Sequence, residues 1–346
     1  MRDKDMKKRS FLVVLLVFLV NVAFAGDVAR KGTNGAEQLL IPVGAKSIAT
    51  GGAFIGDVKG VEAIYYNPAG LDLAGRSEAM FSYMDYLADI KVSYFALSAN
   101  LGDYGTFGLS FKTFNLGDIP ITTFDNPDGT GATYSPSLMT AGLTYSKQIT
   151  DRVSAGATLK VIYESITNVS ATGAAIDFGV QYKFPNNMRL GVAVTNIGTN
   201  MAYRGPDLQV KNQIPDNPPG AGFGVYEPST EEFQIPSYFE LSTSYKYDFN
   251  QQNYLMLAGK FTNNNFYEDV LSFGLEYGFL NTFFLRGGYN YLLGSKPEDN
   301  IYGLTLGAGV SYSFEGSVFF DFDYAYRAVR DFPTGAQHVF TVKLGL

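Results

Sequence analysis

One histidine, His338, no cysteine and a scatter of carboxylates are what this chain offers to nucleophilic, acid–base or metal chemistry. A serine nucleophile needs a base within hydrogen-bond reach and a third group to orient that base. His338 shares its parity with Phe340 and Val342, so it points outward near the end of a strand, with no serine or orienting carboxylate supplied beside it. One His without Cys also falls short of the usual zinc ligand set. Asp321 and Asp323 stand two apart, which puts both carboxylates on one strand face, where a pair binds a cation or works as acid and base. Lys160, Asp177, Lys183, Arg286 and Arg327 face the same way by parity. Buried charges survive only when paired, so the expectation for this set is a salt-bridged lumen wall that seats an inner segment. Gly303, Gly307 and Gly309 have the look of a phosphate-binding loop, yet no helix follows. Inward glycines on a strand instead leave room for whatever packs inside. The chain reads as non-enzymatic, with no catalytic residue, metal or cofactor.

The elements that carry these residues follow from composition and period. Arg2, Lys4, Lys7, Lys8 and Arg9 precede the apolar run Phe11 to Val20, and Ala23-Phe24-Ala25 supplies small residues for cleavage, so residues 1–25 read as an export signal. No cysteine stands near that site to be acylated. The net charge is -7, and removal of the signal, with five cations and two acids, leaves about -10. No basic cluster is available for nucleic acid.

The chain has 24 Tyr, 28 Phe and 38 Gly, no Trp, and only 17% charged residues. Beyond residue 25 no stretch approaches the roughly 18 consecutive apolar residues of a membrane-spanning helix. A closed barrel in an outer membrane reconciles these facts: alternate residues face lipid and lumen, and aromatic residues gather at the interfaces.

Segments of about ten residues with period-two alternation begin near residue 77. Val153, Ala155, Ala157, Leu159, Val161 and Tyr163 form one face against Ser154, Gly156, Thr158 and Lys160. Ala174, Ile176, Phe178, Val180 and Tyr182 oppose Asp177, Gly179, Gln181 and Lys183. Strands are expected near 77–88, 91–101, 105–115, 137–148, 153–165, 173–184, 189–199, 238–248, 254–261, 269–279, 282–292, 302–314, 317–328 and 337–346. That is an all-β, antiparallel, up-and-down transmembrane barrel of about 14 strands. Short turns such as Gly102 to Tyr104 alternate with long links such as Leu116 to Pro136 and Tyr203 to Pro236. Long links mark the cell exterior, which places both chain ends in the periplasm. A soluble β-sandwich or lipocalin-like barrel also alternates, but it tucks its aromatic residues inward.

Residues 26–76 read differently, as a plug or hatch inside the barrel formed by 77–346. The run Gly35-Ala36-Glu37 through Ala45, then Gly51-Gly52-Ala53, Asp57, and Asn67-Pro68-Ala69-Gly70-Leu71 resembles the start of the PorV/PorQ family, within the long-chain fatty-acid transporter (FadL-like) barrels. The local match spans about residues 35–75; elsewhere only strand count and loop rhythm agree. The resemblance implies a lumenal hatch containing Asn67, Pro68, Ala69 and Gly70. It implies one of two roles: docking of secretion proteins or cargo C-terminal domains in type IX secretion, or transport of hydrophobic small molecules. On the residues alone, Pro68 fixes φ, pushes Asn67 out of the helical region, and Gly70 permits a left-handed turn, so the tetrapeptide bends sharply beside the wall. The link Tyr203 to Pro236 is read as a structureless loop, either a partner site or a lid over the mouth, with Tyr203, Pro218, Pro219, Phe223 and Tyr226 as its candidate contacts.

Overall fold

The computed structural model describes residues 30–213, 223–314, 318–332 and 335–346. The export signal, Pro218 and Pro219 lie outside the described residues. Fourteen antiparallel strands close into one barrel. They are β1 (Glu78–Asp85), β2 (Lys91–Asn100), β3 (Thr106–Asn115), β4 (Ser137–Gln148), β5 (Val153–Ile166), β6 (Val169–Lys183) and β7 (Met188–Gly198). The second half comprises β8 (Tyr238–Asp248), β9 (Tyr254–Asn264), β10 (Val270–Phe279), β11 (Phe283–Leu292), β12 (Leu304–Phe314), β13 (Val318–Ala328) and β14 (Ala336–Gly345). Each strand pairs with its sequence neighbour, and β1 pairs with β14 from Glu78↔Gly345 to Asp85↔His338. Closure leaves no strand edge to be satisfied by lipid.

Alternation decides which way side chains point. Along β3 buried and exposed residues alternate without a break, with Phe107, Leu109 and Phe111 outside and Ser110 and Lys112 inside. Elsewhere the outer face carries Phe81, Phe95, Leu159, Phe178, Phe273 and Phe340, all exposed. A surface of that kind is stable only against hydrocarbon. His338 lies on this outer face, its ring stacked on Tyr324 with Nδ1 2.8 Å from the tyrosine hydroxyl.

Two strands are longer than expected. β6 begins at Val169 because Thr167, at φ 51°, makes a tight turn out of β5. β9 runs on through Thr262, Asn263 and Asn264, whose polarity hides the strand. The long link after β7 is not structureless: Val210–Gln213 pairs with Phe223–Tyr226 as a hairpin.

Residues 30–76 fill the lumen as short turns of helix, among them α1 (Ala45–Ala49) and α2 (Ala63–Tyr66). This hatch starts at the long-loop end: Arg30 donates to Asn265 at 3.1 Å, and Lys31 reaches Glu268 at 2.8 Å. It leaves at the opposite end, where Ser77 and Leu346 exchange backbone hydrogen bonds of 3.2 and 2.9 Å. The first described residue therefore stands at the long-loop mouth, not at the short-turn end expected for both termini.

Candidate functional site

Glycines on the inner wall let the hatch touch backbone to backbone. Gly156, Gly191, Gly274 and Gly288 sit where an added Cβ would collide with hatch backbone, and Gly108, Gly179, Gly307 and Gly345 where it would collide with a hatch side chain. At Gly156 the collision is with the Pro68 carbonyl at 2.5 Å and Ala69 N at 2.8 Å. Gly307 meets Ala49. Gly309 makes room instead for the Asp323–Arg286 pair, and Gly303 precedes β12 beside the Tyr289 ring, so neither lines the hatch.

The Asn67-Pro68-Ala69-Gly70 segment is the best-seated part of the hatch. Asn67 is fully buried, extended at φ -157°, and its Nδ2 donates to Ile55 O at 2.9 Å, with Val180 O and Val192 O of the wall at 3.3 and 3.4 Å. Its Oδ1 accepts the Ala69 N–H at 3.2 Å, which opens a short helical turn with Pro68 first. Ser146 on β4 donates to Ala69 O at 3.0 Å. Gly70 does not adopt the expected left-handed conformation; a glycine is required there because Val58 O occupies the space of a Cβ. The left-handed residue is Gly75, at φ 66°.

Most of the inward charges are ion-paired. Lys160 meets Asp177 at 2.5 Å; Asp177 sits at an irregularity between β6 and β7, where it accepts the Asn196 N–H at 2.8 Å. Arg286 bridges Glu276 at 2.6 Å and Asp323 at 2.5 Å, and Asp321 meets Lys343 at 2.7 Å. Two members depart from the expectation. Lys183 is exposed at the short-turn rim and makes no ion pair among the described residues. Arg327 lies 3.7 Å over the Tyr302 ring and reaches Gln337 at 3.4 Å, again with no carboxylate partner among the described residues. Sequence reasoning passed over Lys112, Glu164, Glu240, Lys260, Glu276 and Lys343, although parity alone would have placed each inside.

Above the hatch, toward the long loops, lies a cavity of about 550 Å³. Tyr65, Tyr66, Tyr238, Tyr267 and Tyr302 contribute to its lining, together with Arg327 and the Lys260–Glu240 pair. Its floor is the hatch itself, at Ile48 and the Gly51-Gly52 turn, both glycines left-handed at φ 63° and 68°. Tyr65 donates to Leu39 O and Ile41 O, each at 2.9 Å, and Tyr66 to Val43 O at 2.8 Å. Burial pushes both phenols well above their ordinary range, so they remain donors. A second cavity of about 360 Å³ opens below, lined by Lys46, Thr50, Phe54, Asp57, Lys59 and Arg189 among others. Burial raises the Asp57 carboxyl, against the pull of Arg189 at 2.7 Å and Lys59. The segment from Ser47 to Phe54 lines both spaces, with Ile48, Gly51 and Gly52 facing the upper one and Ser47, Thr50 and Phe54 the lower.

The long link divides into an anchored base and an exposed tip. Tyr203 donates to buried Glu164 and lies tilted against Phe233, ring centroids 5.5 Å apart, and Met201 and Ile235 pack on Ala36 and Leu39 of the hatch. Tyr203 is thus an anchor and not an exposed contact. Phe223, 70% exposed, and Tyr226 stand out on the hairpin.

The closed fourteen-stranded barrel is a fold shared with solved structures of hydrocarbon channels and of a FadL homologue. The Pseudomonas putida toluene transporter TodX aligns over 88% of this chain and 98% of its own at TM-score 0.55 and 16% identity. The CymD monoaromatic hydrocarbon channel aligns over 88% and 97% at 0.54 and 15%, and a Pseudomonas aeruginosa FadL homologue over 88% and 98% at 0.54 and 13%. No family model and no curated protein matches the chain. The resemblance to PorV and PorQ thus finds no support, whereas the broader likeness to FadL-like barrels holds at the level of fold.

Proposed function

We propose that this barrel resides in a bacterial outer membrane, exported by a cleaved signal, and admits small hydrophobic molecules bearing a polar group from the cell exterior toward the periplasm. The observation that carries this reading is the tyrosine-lined cavity of about 550 Å³ whose floor is the hatch. Its volume falls in the ordinary range for small-ligand sites, and its tyrosines combine apolar faces with hydroxyl donors. Passage onward crosses the layer from Ser47 to Phe54, with the Gly51-Gly52 turn as the segment that yields. The fold shared with TodX and CymD supports this reading.

The chain contains no Trp, so a Tyr302→Trp variant carries one unique fluorophore at the cavity. p-Cresol and decanoic acid are expected to change its emission saturably in detergent, and glucose to leave it unaltered. Unchanged emission with both hydrophobic probes refutes the proposal. A second reading, docking of secretion proteins or cargo C-terminal domains, is favoured by the exposed Phe223 and Val225 at the outer hairpin. It requires that a detergent extract retain a protein partner that is lost when 210–226 is deleted.

A further inference from the structure

Where the hatch meets β2 to β5, a small pocket of about 20 Å³ has Tyr94, Ser110, Lys112, Thr140 and Lys160 on its barrel side, facing Leu39, Ile64 and the Tyr65 ring of the hatch. Every one of the five barrel side chains carries N–H or O–H donors, and no carboxylate lines the space. Lys112 is buried; its ammonium donates to Gln38 O at 2.7 Å and to Ile41 O, and stands 4.9 Å from the Tyr65 ring and 5.5 Å from that of Phe114. Carbonyl dipoles and ring faces ease that charge without neutralising it. No carboxylate reaches ion-pair distance of Lys112 among the described residues. Asp177 is taken by Lys160 at 2.5 Å. Glu164 is held by Gln38 Nε2 at 2.8 Å and by the Tyr203 hydroxyl, outside the pocket. The Tyr94 hydroxyl and Thr140 Oγ1 are buried with no hydrogen-bond partner; Ser110 stands beside Tyr94 without meeting hydrogen-bond geometry.

We propose that this pocket binds one monovalent anion of chloride size. The space exceeds the roughly 10–15 Å³ that one water requires, so size admits water or a halide. Charge separates them. A water satisfies the orphaned hydroxyls but leaves the Lys112 cation uncompensated in a medium of low dielectric, whereas a halide accepts from the hydroxyls and ammonium together and cancels the charge. Through Lys112 the anion then holds hatch residues 38–41 against β3.

The test is bromide anomalous diffraction from crystals of the full chain, with thermal unfolding in chloride and in gluconate, an anion too large for the space. The expected result is an anomalous peak beside Lys112 Nζ and higher melting in chloride. Lys112→Met abolishes the peak. The double variant Tyr94→Phe, Thr140→Val retains the lysine and its grip on the hatch, and raises the bromide concentration for half occupancy about tenfold or more. Wild-type crystals that show water and no bromide at this position overturn the proposal. So does full bromide affinity in the double variant.

Discussion

The contact between Gly156 and the Pro68–Ala69 peptide makes the seating of the hatch measurable. In Gly156→Ala the new Cβ falls 2.5 Å from the Pro68 carbonyl and must retreat to at least the 3.4 Å of ordinary contact, so wall and hatch part by about 0.9 Å. Both partners are backbone, and no rotamer relieves the clash. Overpacking of this kind costs about 1–3 kcal/mol. The Ser146 to Ala69 hydrogen bond, 3.0 Å long, is strained with it, for about another 1 kcal/mol. A weakening of about 2–4 kcal/mol raises the population of unseated hatch about 30-fold to 700-fold. Planar-bilayer conductance reads this directly as more frequent open-pore events, and heat-shift electrophoresis reads the accompanying loss of barrel stability. Gly142→Ala is the control, because its Cβ would meet Ser110 Oγ of the wall and no hatch atom. Equal conductance and equal heat stability in the two variants refute the claim that wall glycines seat the plug.

Arg286→Met leaves Asp323 buried without its cation and Glu276 with Lys46 alone at 4.0 Å, and should lower stability by about 3–5 kcal/mol, measured by urea unfolding in detergent micelles. Adding Glu276→Gln and Asp323→Asn to it should recover most of that loss; failure to recover would mean the triad serves another purpose. Deleting 210–226 should leave barrel melting within about 1 kcal/mol, since Phe223, Val225 and Tyr226 of the hairpin are exposed, whereas Glu164→Leu strips the Gln38 and Tyr203 anchors and should cost about 1–3 kcal/mol. Burial would raise the Glu268 carboxyl, but hydrogen bonds from Lys31, its own backbone and Ser295 hold it below the usual glutamate range. Its contribution is therefore complete above about pH 4.5 and lost as pH falls through the lowered value, an effect under about 1 kcal/mol because Lys31 is half exposed. Hydrogen exchange at residues 31–37, corrected for intrinsic rate, should quicken between pH 5 and pH 3 in wild type and be insensitive to that change in Glu268→Gln.

All fourteen strands were legible because each buries one face and greases the other, and a one-residue slip would have turned every charge toward hydrocarbon. Legibility failed where that contrast fails. The start of β6, Val169-Ser170-Ala171-Thr172, turns Ala171 inward onto the hatch and Thr172 outward, reversing the usual contrast, and the end of β9 at Asn263-Asn264 has no apolar face to count. The paired lumen charges Lys160, Asp177, Arg286, Asp321 and Asp323 followed from parity, but Arg327 escaped the pairing argument because a Tyr302 ring took the place of a carboxylate. The hatch was visible as a break in periodicity, yet its path was not. Contacts such as Lys112 to Gln38 O join residues 74 apart through backbone carbonyls, which leave no mark on side-chain pattern. Gly70 was misjudged for a related reason: a glycine needed for close approach and one needed for a left-handed turn look the same in sequence.

The pairing of β1 with β14 makes the timing of hatch entry matter. The hatch runs directly into β1, and the ring has no seam to seal until the final strand of the barrel arrives beside that first one. Residues 30–76 gathered into the sheet while it is still an unrolled, curved ribbon are trapped when β1 zips onto β14. Non-local pairing of this kind forms slowly. Rings that seal before the N-terminal segment has entered would carry it outside, where an added protease would trim it and leave the wall intact.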